Sequence, residues 1–197
     1  MTGGAQMDGF FDLITVCLTA IGIPESEVYC HSKLELPGFF RPTKKWDLLV
    51  VRKGQLIAGL ETKSQVGSFG NNFNNRTEEA MGSALDLWTA FREGAFNSTV
   101  NPWLGYIFLL QDCPNSQRPI RTDEPHFPVL PEFKNASYAR RYELFRRKLV
   151  RERHYQSAAF LLSEENSGLA GAYNEPATDL TLLLLLRSLL SHANVHI

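Results

Sequence analysis

Three charged side chains stand at the outer ends of an otherwise apolar stretch of the sequence. Asp47 precedes one apolar run, Glu61 and Lys63 end a second, and the turn signal Lys53-Gly54 separates the two runs. Two apolar runs around such a turn predict a β-hairpin that is buried on both faces. A buried carboxylate needs an ionic partner or a bound ion, so these acids indicate a site rather than ordinary packing.

The type of turn decides whether the three side chains share one face. Because side chains alternate across a strand, Glu61 and Lys63 lie on the same face of the second strand. A three-residue loop with Gly54 in the left-handed conformation pairs Asp47 with Gly59. The two acids are then diagonal neighbours, about 7–8 Å apart in Cα position. A two-residue loop would place Asp47 on the opposite face.

In the first of these registers the two carboxylates can hold one hard divalent cation, with an ammonium group beside it. Such a set suits metal-assisted hydrolysis of a phosphodiester, in which the ion polarises the phosphate and lowers the pKa of its bound water. The ammonium would orient that water or stabilise the developing charge. A solvated strand face is the alternative, and the apolar residues that fill both runs favour the metal site over it.

The composition is typical of one globular domain, which we expect to span residues 1–197. The 20 Lys and Arg residues nearly balance the 21 Asp and Glu residues, and a net charge of −1 neither demands nor excludes a nucleic-acid partner. Three cysteines without metal-ligand spacing predict buried, reduced thiols in a cytoplasmic protein and no zinc site. The apolar segments 10–23 and 180–190 each contain a charged residue, so we expect neither a signal peptide nor a membrane span.

Hydrophobic spacing predicts the elements that surround the hairpin. We expect a helix over 7–23, strands over 103–110 and 158–162, a basic helix from Ser137 and a closing Leu-rich helix capped by Thr178. The first helix carries Asp8 and Asp12 in its first turns, where the helix dipole favours acids. We interpret both as structural, with a metal-binding role for Asp12 as the alternative.

A polar segment rich in Gly and Asn, residues 64–76, directly follows the Glu-Thr-Lys triplet. We expect a loop that ends where Asn75 caps a helix, with Glu78 at the capping-box position. Asn and Arg side chains can also form bidentate contacts with adenine and guanine in the major groove of DNA. Turn and cap chemistry is the alternative. The candidate base contacts are Asn71, Asn72, Asn74, Asn75 and Arg76.

Two later regions are further candidates for contact with nucleic acid. A proline-punctuated segment after the strand 103–110 is longer than compact domains normally leave irregular, and His126 within it could contact a base or a phosphate. The alternative for this His is a structural hydrogen bond. The helix from Ser137 carries seven Arg and Lys residues against two Glu residues, which suits phosphate contacts. The candidates there are Arg140, Arg141 and Arg147.

Several longer motifs resemble the XhoI family of type II restriction endonucleases, and the resemblance covers essentially the whole chain. The motifs are KWDLLV at 45–50, ETKSQVG at 61–67, FGNNFNNRTEEA at 69–80, WTAFREGAF at 88–96 and PHF at 125–127. The Asn-rich string is far more specific than the acidic residues. Members of this family usually begin with an additional N-terminal segment, so we expect this chain to start later than its relatives.

The resemblance implies an α/β (α+β) fold of the PD-(D/E)XK nuclease type, a mixed central β-sheet flanked by helices. It also implies a homodimer that cuts double-stranded DNA at CTCGAG after the first C, using Mg²⁺ and leaving 5′-phosphates and 5′ overhangs. Matched position by position, Asp47 and Glu61 become the metal-binding acids, Lys63 the catalytic lysine and the carbonyl of Thr62 a further ligand. A cognate DNA methyltransferase is the implied partner, with no stable complex expected.

Two other functions are the alternatives to this interpretation. A repair or structure-specific nuclease could share the same core, and mapping of the cuts in a plain duplex containing CTCGAG would separate it from a restriction enzyme. A non-catalytic DNA-binding protein could keep the acids for structure alone. Tight site-specific binding without cleavage in Mg²⁺ would favour that last alternative.

Overall fold

A five-stranded mixed sheet forms the centre of the protein in a computed structural model that describes residues 7–96, 100–168 and 170–197. The strands lie in the order β1, β4, β5, β6 and β7. They comprise Val28–Tyr29, Leu48–Arg52, Gln55–Gln65, Trp103–Gln111 and Ser157–Ser163. The strand β4 is antiparallel to both of its neighbours, β1 and β5, whereas β5, β6 and β7 are parallel. The parallel strands are strongly apolar because both of their faces are covered.

Helices cover the two faces of this sheet. On one face pack α1 (Asp8–Ala20) and α6 (Leu182–Asn194), and on the other pack α2 (Phe69–Arg92) and α4 (Tyr138–Arg151). Two short helices, α3 (Pro114–Gln117) and α5 (Glu165–Gly168), lie in the connections. This arrangement confirms the predicted fold class, a mixed sheet flanked by helices. No helix in the described ranges is both long and apolar enough to cross a bilayer.

A small antiparallel hairpin stands outside the main sheet. It consists of β2 (Glu35–Pro37) and β3 (Thr43–Lys45). Asp86 of α2 is buried and accepts hydrogen bonds from the backbone N–H groups of Phe39 and Phe40 at 2.7 and 2.8 Å, and from Arg41 Nε at 2.7 Å. A charged acceptor on the helix therefore fixes the tip of the small hairpin in place.

The predicted buried hairpin forms as β4 and β5, but the three-residue loop predicted for it is wrong. Lys53 and Gly54 both have positive φ, 51° and 76°, and Arg52 lies opposite Gln55. This is a two-residue turn of the kind whose twist matches the flanking strands. Gly54 tolerates its conformation because it lacks a Cβ atom.

A bulge next to this turn restores the predicted face. Val51 pairs with Leu56 whereas Val50 pairs with Ala58, so β5 contains one extra residue. Leu48 consequently lies opposite Leu60, and the position before Leu48 falls opposite the position after Leu60. The predicted pairing of Asp47 with Gly59 is therefore wrong. The predicted sharing of a face by the two acids is nevertheless what the strands produce.

The predicted loop over 64–76 and the predicted cap at Asn75 are also wrong. The strand β5 continues to Gln65, and α2 begins at Phe69 after Ser68, which has a φ of 45° and makes no side-chain cap. Phe69 and Phe73 pack against tyrosines of α4, with ring centroids 5.9 and 5.0 Å from those of Tyr138 and Tyr142. This apolar packing outweighs the preference of Asn for turns.

Smaller differences follow the same pattern. The helix α6 is capped by Thr181, not by Thr178 as predicted. Hydrophobic spacing along α2 predicts that Met81 lies on its buried side, but Met81 is 44% exposed, and Ala80 and Leu87 are buried. The three cysteines are free but half-buried rather than buried. The proline-punctuated segment is shorter than predicted because α3 and a 3₁₀ turn, Pro131–Phe133, interrupt it.

Candidate active site

Asp47, Glu61 and Lys63 meet where β5 continues beyond the end of its partner strand. Because β4 begins at Leu48, residues 61–65 pair with β6 on one side and leave the other side open. Lys63 Nζ lies 3.6 Å from Asp47 Oδ2 and donates a hydrogen bond to Glu61 Oε1. The structure thus brings the three predicted side chains together at an accessible edge of the sheet.

The open edge of β5 orients the side chain of Asp47. Thr62 N–H has no strand partner on this side and donates to Asp47 Oδ2 at 2.7 Å, and Thr62 Oγ1 lies 3.2 Å from the same oxygen. A backbone donor at a strand edge needs an acceptor, and the carboxylate provides it. One oxygen of Asp47 is therefore held in place, while its side chain remains 33% exposed.

Glu61 is the more buried of the two acids, with a side chain that is 7% exposed. An ammonium group lies at each of its oxygens. Lys63 contacts Oε1, and Lys44 of the small hairpin contacts Oε2. Tyr106 lies beside Glu61 on β6, is buried and has a hydroxyl without a hydrogen-bond partner within the described residues. Opposite charges at both oxygens satisfy the requirement that a buried carboxylate be paired.

Lys44 is a site residue that the sequence did not reveal. Its Nζ also donates to the carbonyl of Lys45 at 3.1 Å and lies 4.2 Å from the ring centroid of Trp46. The sequence places Lys44 three residues before Asp47, but the contact with Glu61 arises because the small hairpin folds back over β5. The sequence signal nearest to this contact is the alternation of side chains along a short strand, which places Lys44 and Trp46 on one face.

The acids of the site control the protonation of Lys63. Burial acts to lower the pKa of Lys63, but the carboxylates of Glu61 and Asp47 outweigh this effect and raise the pKa above its ordinary value. The ammonium form therefore persists at neutral pH. An ammonium group at this place can stabilise negative charge that develops nearby.

The donor set fits a hard divalent cation. It comprises the carboxylates of Asp47 and Glu61 and the carbonyl of Thr62, which accepts a hydrogen bond from Lys63 Nζ at 3.1 Å. In the part of the chain that the structure describes, no group of three or more His, Cys, Asp and Glu residues is placed to hold a metal. A site with two carboxylates and otherwise open positions is what Mg²⁺ favours, because it retains waters and binds substrate phosphates.

Two clefts adjoin the cluster, and both are lined by Lys63 and Arg76. The larger, ≈ 740 Å³, also contains Glu61 and Lys44, and the smaller, ≈ 320 Å³, also contains Asp47. Arg76 Nη1 pairs with Glu79 at 2.5 Å, and its buried Nε has no partner in the described ranges. A cationic side chain thus stands at the junction of the two clefts, beside the candidate catalytic lysine.

The two acids of α1 lie at different cavities. Asp8, for which we predict a structural role, lines the smaller cleft together with Asp47 and Lys63. Asp12, the alternative metal ligand, is exposed and lines a separate cavity beside Cys30. The helix therefore directs its first acid, and not its second, toward the cluster.

The Asn residues lie in the first two turns of α2 rather than in a loop. Asn71, Asn74 and Asn75 are exposed and Asn72 is half-buried. Within the described residues their side chains make no hydrogen bonds, so turn and cap chemistry does not occupy them. Their amide groups are free for an external partner, and they sit on the same helix end as Arg76.

The basic helix α4 is more neutralised than its sequence indicates. Arg147 pairs with Asp179 at 2.6 Å and with Glu143 at 2.9 Å, and Arg140 also pairs with Glu143, at 2.6 Å. Arg141 donates to two backbone carbonyls and to the hydroxyl of Thr122, so it braces the proline-punctuated segment. Acids and acceptors, some of them on other elements, therefore engage all three of the arginines predicted to contact phosphates.

Arg146 departs furthest from the polar surface predicted for this helix. It is fully buried, and its guanidinium lies 4.1 Å from the ring centroid of Phe108 and 4.7 Å from that of Tyr106. None of its three guanidinium nitrogens has a hydrogen-bond partner among the described residues. Cation–π contacts therefore stabilise this buried charge. One of the contacted rings is that of Tyr106, which lies beside Glu61 in the sheet.

His126 lies in an exposed part of the proline-punctuated segment. Neither its ring nor the neighbouring Phe127, which is 84% exposed, is held by a hydrogen bond or ring contact in the described chain. The alternative of a structural hydrogen bond for His126 is therefore not realised in this structure.

The ion pairs of α4 predict that removal of Arg147 and removal of Arg140 have different effects, the first on stability and the second on DNA binding. Arg147→Ala should lower the free energy of unfolding by roughly 1 kcal/mol, because it breaks ion pairs to two acids of which Asp179 lies outside the helix. Arg140→Ala removes a more exposed charge and, if it contacts phosphate, should reduce the salt slope of DNA binding by about one. Urea unfolding and salt-dependent DNA binding of both variants test this. An unchanged slope in Arg140→Ala would remove Arg140 from the DNA-contacting surface.

The hydrogen bonds that Asp86 accepts from the tip of the small hairpin should contribute to the stability of the protein and to the position of Lys44. Asp86→Ala should lower the free energy of unfolding by roughly 2–3 kcal/mol, since three donors lose a charged acceptor. Glu79→Ala on the same helix is the matched control, because its pair with Arg76 is a single exposed one and should contribute under about 0.5 kcal/mol. Urea unfolding measures both variants, and an equal loss of unfolding free energy in the two would contradict a special role for Asp86.

The sequence comparisons agree with one another. The sequence model of the family described as restriction endonuclease XhoI matches residues 1–175. The chain is 57% identical to the type II restriction enzyme BstVI of Geobacillus stearothermophilus, over 98% of this chain and 88% of that protein. It is 50% identical to the type II restriction enzyme XhoI of Xanthomonas vasicola, over 75% of this chain and 61% of that protein.

A third relative gives the same result over a shorter region. The type II restriction enzyme AbrI of Azospirillum brasilense is 54% identical over 62% of this chain and 56% of that protein. The chain thus spans nearly nine tenths of the first relative and less than two thirds of the other two. No solved structure matches the chain significantly.

Proposed function

We propose that this chain, which belongs to the XhoI family of restriction endonucleases, cuts double-stranded DNA at CTCGAG. The proposed cut falls after the first C, and the proposed cofactor is Mg²⁺. The chain is a type II restriction enzyme, a site-specific deoxyribonuclease whose substrate is DNA. Enzymes of this class generally use divalent metal ions. The observation that carries the proposal is the convergence of Asp47, Glu61 and Lys63 at the open edge of β5.

In the proposed reaction each member of the cluster has one task. Asp47 and Glu61 hold the cation, and the carbonyl of Thr62 is the third ligand. When bound, Mg²⁺ supplies polarisation of the phosphodiester and a lowered pKa for its bound water. Thr62 N–H fixes Asp47 Oδ2, so that this carboxylate needs little reorganisation to bind. The ammonium group of Lys63 stabilises the charge that develops on the phosphate.

The enzyme is proposed to act as a homodimer. A palindromic target presents the same half-site twice, related by two-fold symmetry, and a two-fold symmetric protein reads both halves with the same side chains. Cells that contain such an enzyme must protect their own copies of the site, so a cognate DNA methyltransferase is the proposed partner. That partner acts on the same sequence and needs no stable complex with the nuclease.

Digestion of a mapped plasmid tests the proposal. With Mg²⁺, cuts are expected at every CTCGAG site, with fragments carrying 5′-phosphates and 5′ overhangs, and without a divalent cation no cleavage is expected. A duplex that differs from CTCGAG at one base pair is the control. Cuts at other sequences would refute the proposed target, and cuts at branches or damage would favour a repair nuclease. Tight binding to CTCGAG without cleavage in Mg²⁺ would favour a non-catalytic protein.

Sequence recognition is proposed for the beginning of α2. We expect impaired cleavage at CTCGAG in each of the variants Asn71→Ala, Asn74→Ala and Arg76→Ala. In at least one of them, the ratio of the cleavage rate at CTCGAG to the rate at sites altered at one base pair should fall by about ten- to a hundredfold. The side chains of Asn71 and Asn74 make no hydrogen bonds within the described protein, so their removal should leave the melting temperature unchanged. Cleavage of single-mismatch duplexes and thermal unfolding measure the two effects. An unchanged preference would leave readout to the segment around His126.

A further inference from the structure

Glu61 carries a second ammonium group that the proposed reaction does not use, that of Lys44. The carboxylate has one lysine at each oxygen, Lys63 at Oε1 and Lys44 at Oε2. Both the acid and Lys44 are largely shielded from water, with side chains 7% and 11% exposed. A cation that binds Glu61 must therefore compete with an ammonium group that is already in place.

The two lysines differ in what else holds them. Lys63 lies 3.6 Å from Asp47 Oδ2 and 3.1 Å from the carbonyl of Thr62, so it remains paired with an acid even when it leaves Glu61. Lys44 has no second carboxylate in the described residues, and it belongs to the small hairpin outside the main sheet. Its other contacts are the carbonyl of Lys45 and the ring of Trp46. Lys44 is thus the lysine whose departure costs the site least.

We propose that Lys44 is an exchangeable counter-ion of Glu61. In the DNA-free protein its ammonium group occupies Oε2, and when a divalent cation binds Glu61 this ammonium moves to a phosphate oxygen of the bound DNA. The inference rests on the proposed function, because that function makes Glu61 a metal ligand. It extends the function by coupling metal binding to DNA binding through one positioning residue.

The charges of the cluster support this coupling. Two carboxylates, Asp47 and Glu61, and two ammonium groups, Lys44 and Lys63, sum to zero. A divalent cation added to this neutral set gives the cluster a charge of +2, which favours the polyanionic substrate. By linkage, each ligand then raises the affinity for the other by the same factor.

Lys44 also lies where a phosphate can reach it. It lines the ≈ 740 Å³ cleft together with Glu61, Lys63 and Arg76. The hairpin that carries it is anchored to α2 through the buried Asp86, so its backbone has a fixed origin from which the long side chain can turn. A flexible stem with a compact charge suits such an exchange between two partners.

The first test measures metal binding without DNA. Free Mn²⁺ is titrated by electron paramagnetic resonance against the wild type, Lys44→Met, Lys44→Arg and Lys45→Met. Lys44→Met should bind Mn²⁺ at least about fivefold more tightly, the ratio that corresponds to an ion pair of about 1 kcal/mol. Lys44→Arg keeps the competing charge and should resemble the wild type. Lys45→Met is the matched control, since Lys45 is the exposed neighbour on the same strand.

The second test measures binding of a CTCGAG duplex in Ca²⁺, used as a non-cleaving cation. Lys44→Met should bind the duplex more weakly, with a salt slope reduced by about one, because one phosphate contact is lost. The same substitution thus tightens metal binding and weakens DNA binding. A folding defect would weaken both. Thermal unfolding is measured first, and Lys44→Gln replaces Lys44→Met if the latter does not fold.

The outcomes separate this inference from the proposed function. Equal Mn²⁺ affinity in Lys44→Met and the wild type overturns the role of Lys44, whereas cleavage at CTCGAG by the wild type would leave the proposed function intact. Glu61→Gln serves as the reference for lost metal binding. If the wild type binds no more Mn²⁺ than Glu61→Gln does, Glu61 is not a metal ligand and the inference about Lys44 fails, whereas digestion at CTCGAG still decides the proposed function.

Discussion

Asp47→Asn and Glu61→Gln are each expected to slow cleavage at CTCGAG by at least about a thousandfold. The reason is that a bound cation contributes several kcal/mol of charge stabilisation in the transition state, and each 1.4 kcal/mol corresponds to about a factor of ten in rate. Replacing one carboxylate by an amide removes a charged ligand while keeping the shape of the side chain. Single-turnover cleavage of a labelled duplex in Mg²⁺, with enzyme in excess, measures the effect.

The two variants should differ in their effect on the fold. Asp47→Asn retains an amide oxygen that can accept a hydrogen bond from Thr62 N–H, so this backbone donor at the open edge of β5 keeps its partner. Glu61→Gln leaves Lys44 without a carboxylate partner and leaves Lys63 paired with Asp47 alone, so it should lower the melting temperature as well. Asp47→Asn is therefore the cleaner test of the metal ligand.

Glu78→Gln is the control for both variants. Glu78 is an exposed acid that lines the same cleft as Glu61, and it has no ion pair in the described part of the chain. Its removal changes the local charge by the same amount but should leave the cleavage rate within about twofold of the wild type, as is usual for surface substitutions that cost little. Near-normal turnover in Asp47→Asn or Glu61→Gln would contradict the assignment of the metal ligands.

The hairpin was predictable because its signals are local. Apolar runs on both sides of Lys53-Gly54 define two buried strands, and the same pattern places Glu61 and Lys63 on one face. The turn and the bulge were not separable in the sequence. A two-residue turn alone would have moved Asp47 to the other face, and the extra residue in β5 cancels that shift. The predicted face is thus correct although the predicted turn is wrong.

The start of α2 shows where local preference fails. Asn favours turns and caps, so four Asn residues predicted a loop, but Phe69 and Phe73 gain more by packing against α4 as parts of a helix. That partner helix begins more than sixty residues later in the chain, and no local pattern connects the two. The segment was therefore identified as a candidate interface while its conformation was not.

Charges that meet through tertiary packing were the hardest to predict. Lys44 reaches Glu61 only because the small hairpin folds over the sheet edge, and Arg147 pairs with Asp179 across 32 positions of sequence. Arg146 lies on a strongly charged helix but turns into an aromatic core. Composition and helical spacing assign such residues to the surface, since they carry no information about partners from distant segments.

Lys63→Met is expected to slow cleavage by about a thousandfold while binding Ca²⁺ at least as tightly as the wild type. The side chain is not a ligand, and its removal takes a positive charge away from Asp47 and Glu61, so metal binding has no reason to weaken. Cleavage should suffer because a preorganised charge beside the phosphate contributes on the order of 10²–10³ in rate. Calorimetric titration with Ca²⁺ and single-turnover cleavage in Mg²⁺ give the two quantities separately.

Lys63→Arg distinguishes a charge from a base at this position. The guanidinium stays protonated under all usable conditions, so it can stabilise developing charge but cannot accept a proton from the attacking water. If Lys63 acts as a charge, Lys63→Arg should recover at least about tenfold of the rate lost in Lys63→Met, a recovery of about 1.4 kcal/mol in activation free energy. If Lys63 acts as a base, the two variants should be equally slow. Loss of Ca²⁺ binding in Lys63→Met would contradict both roles and would make this lysine a support for the metal site instead.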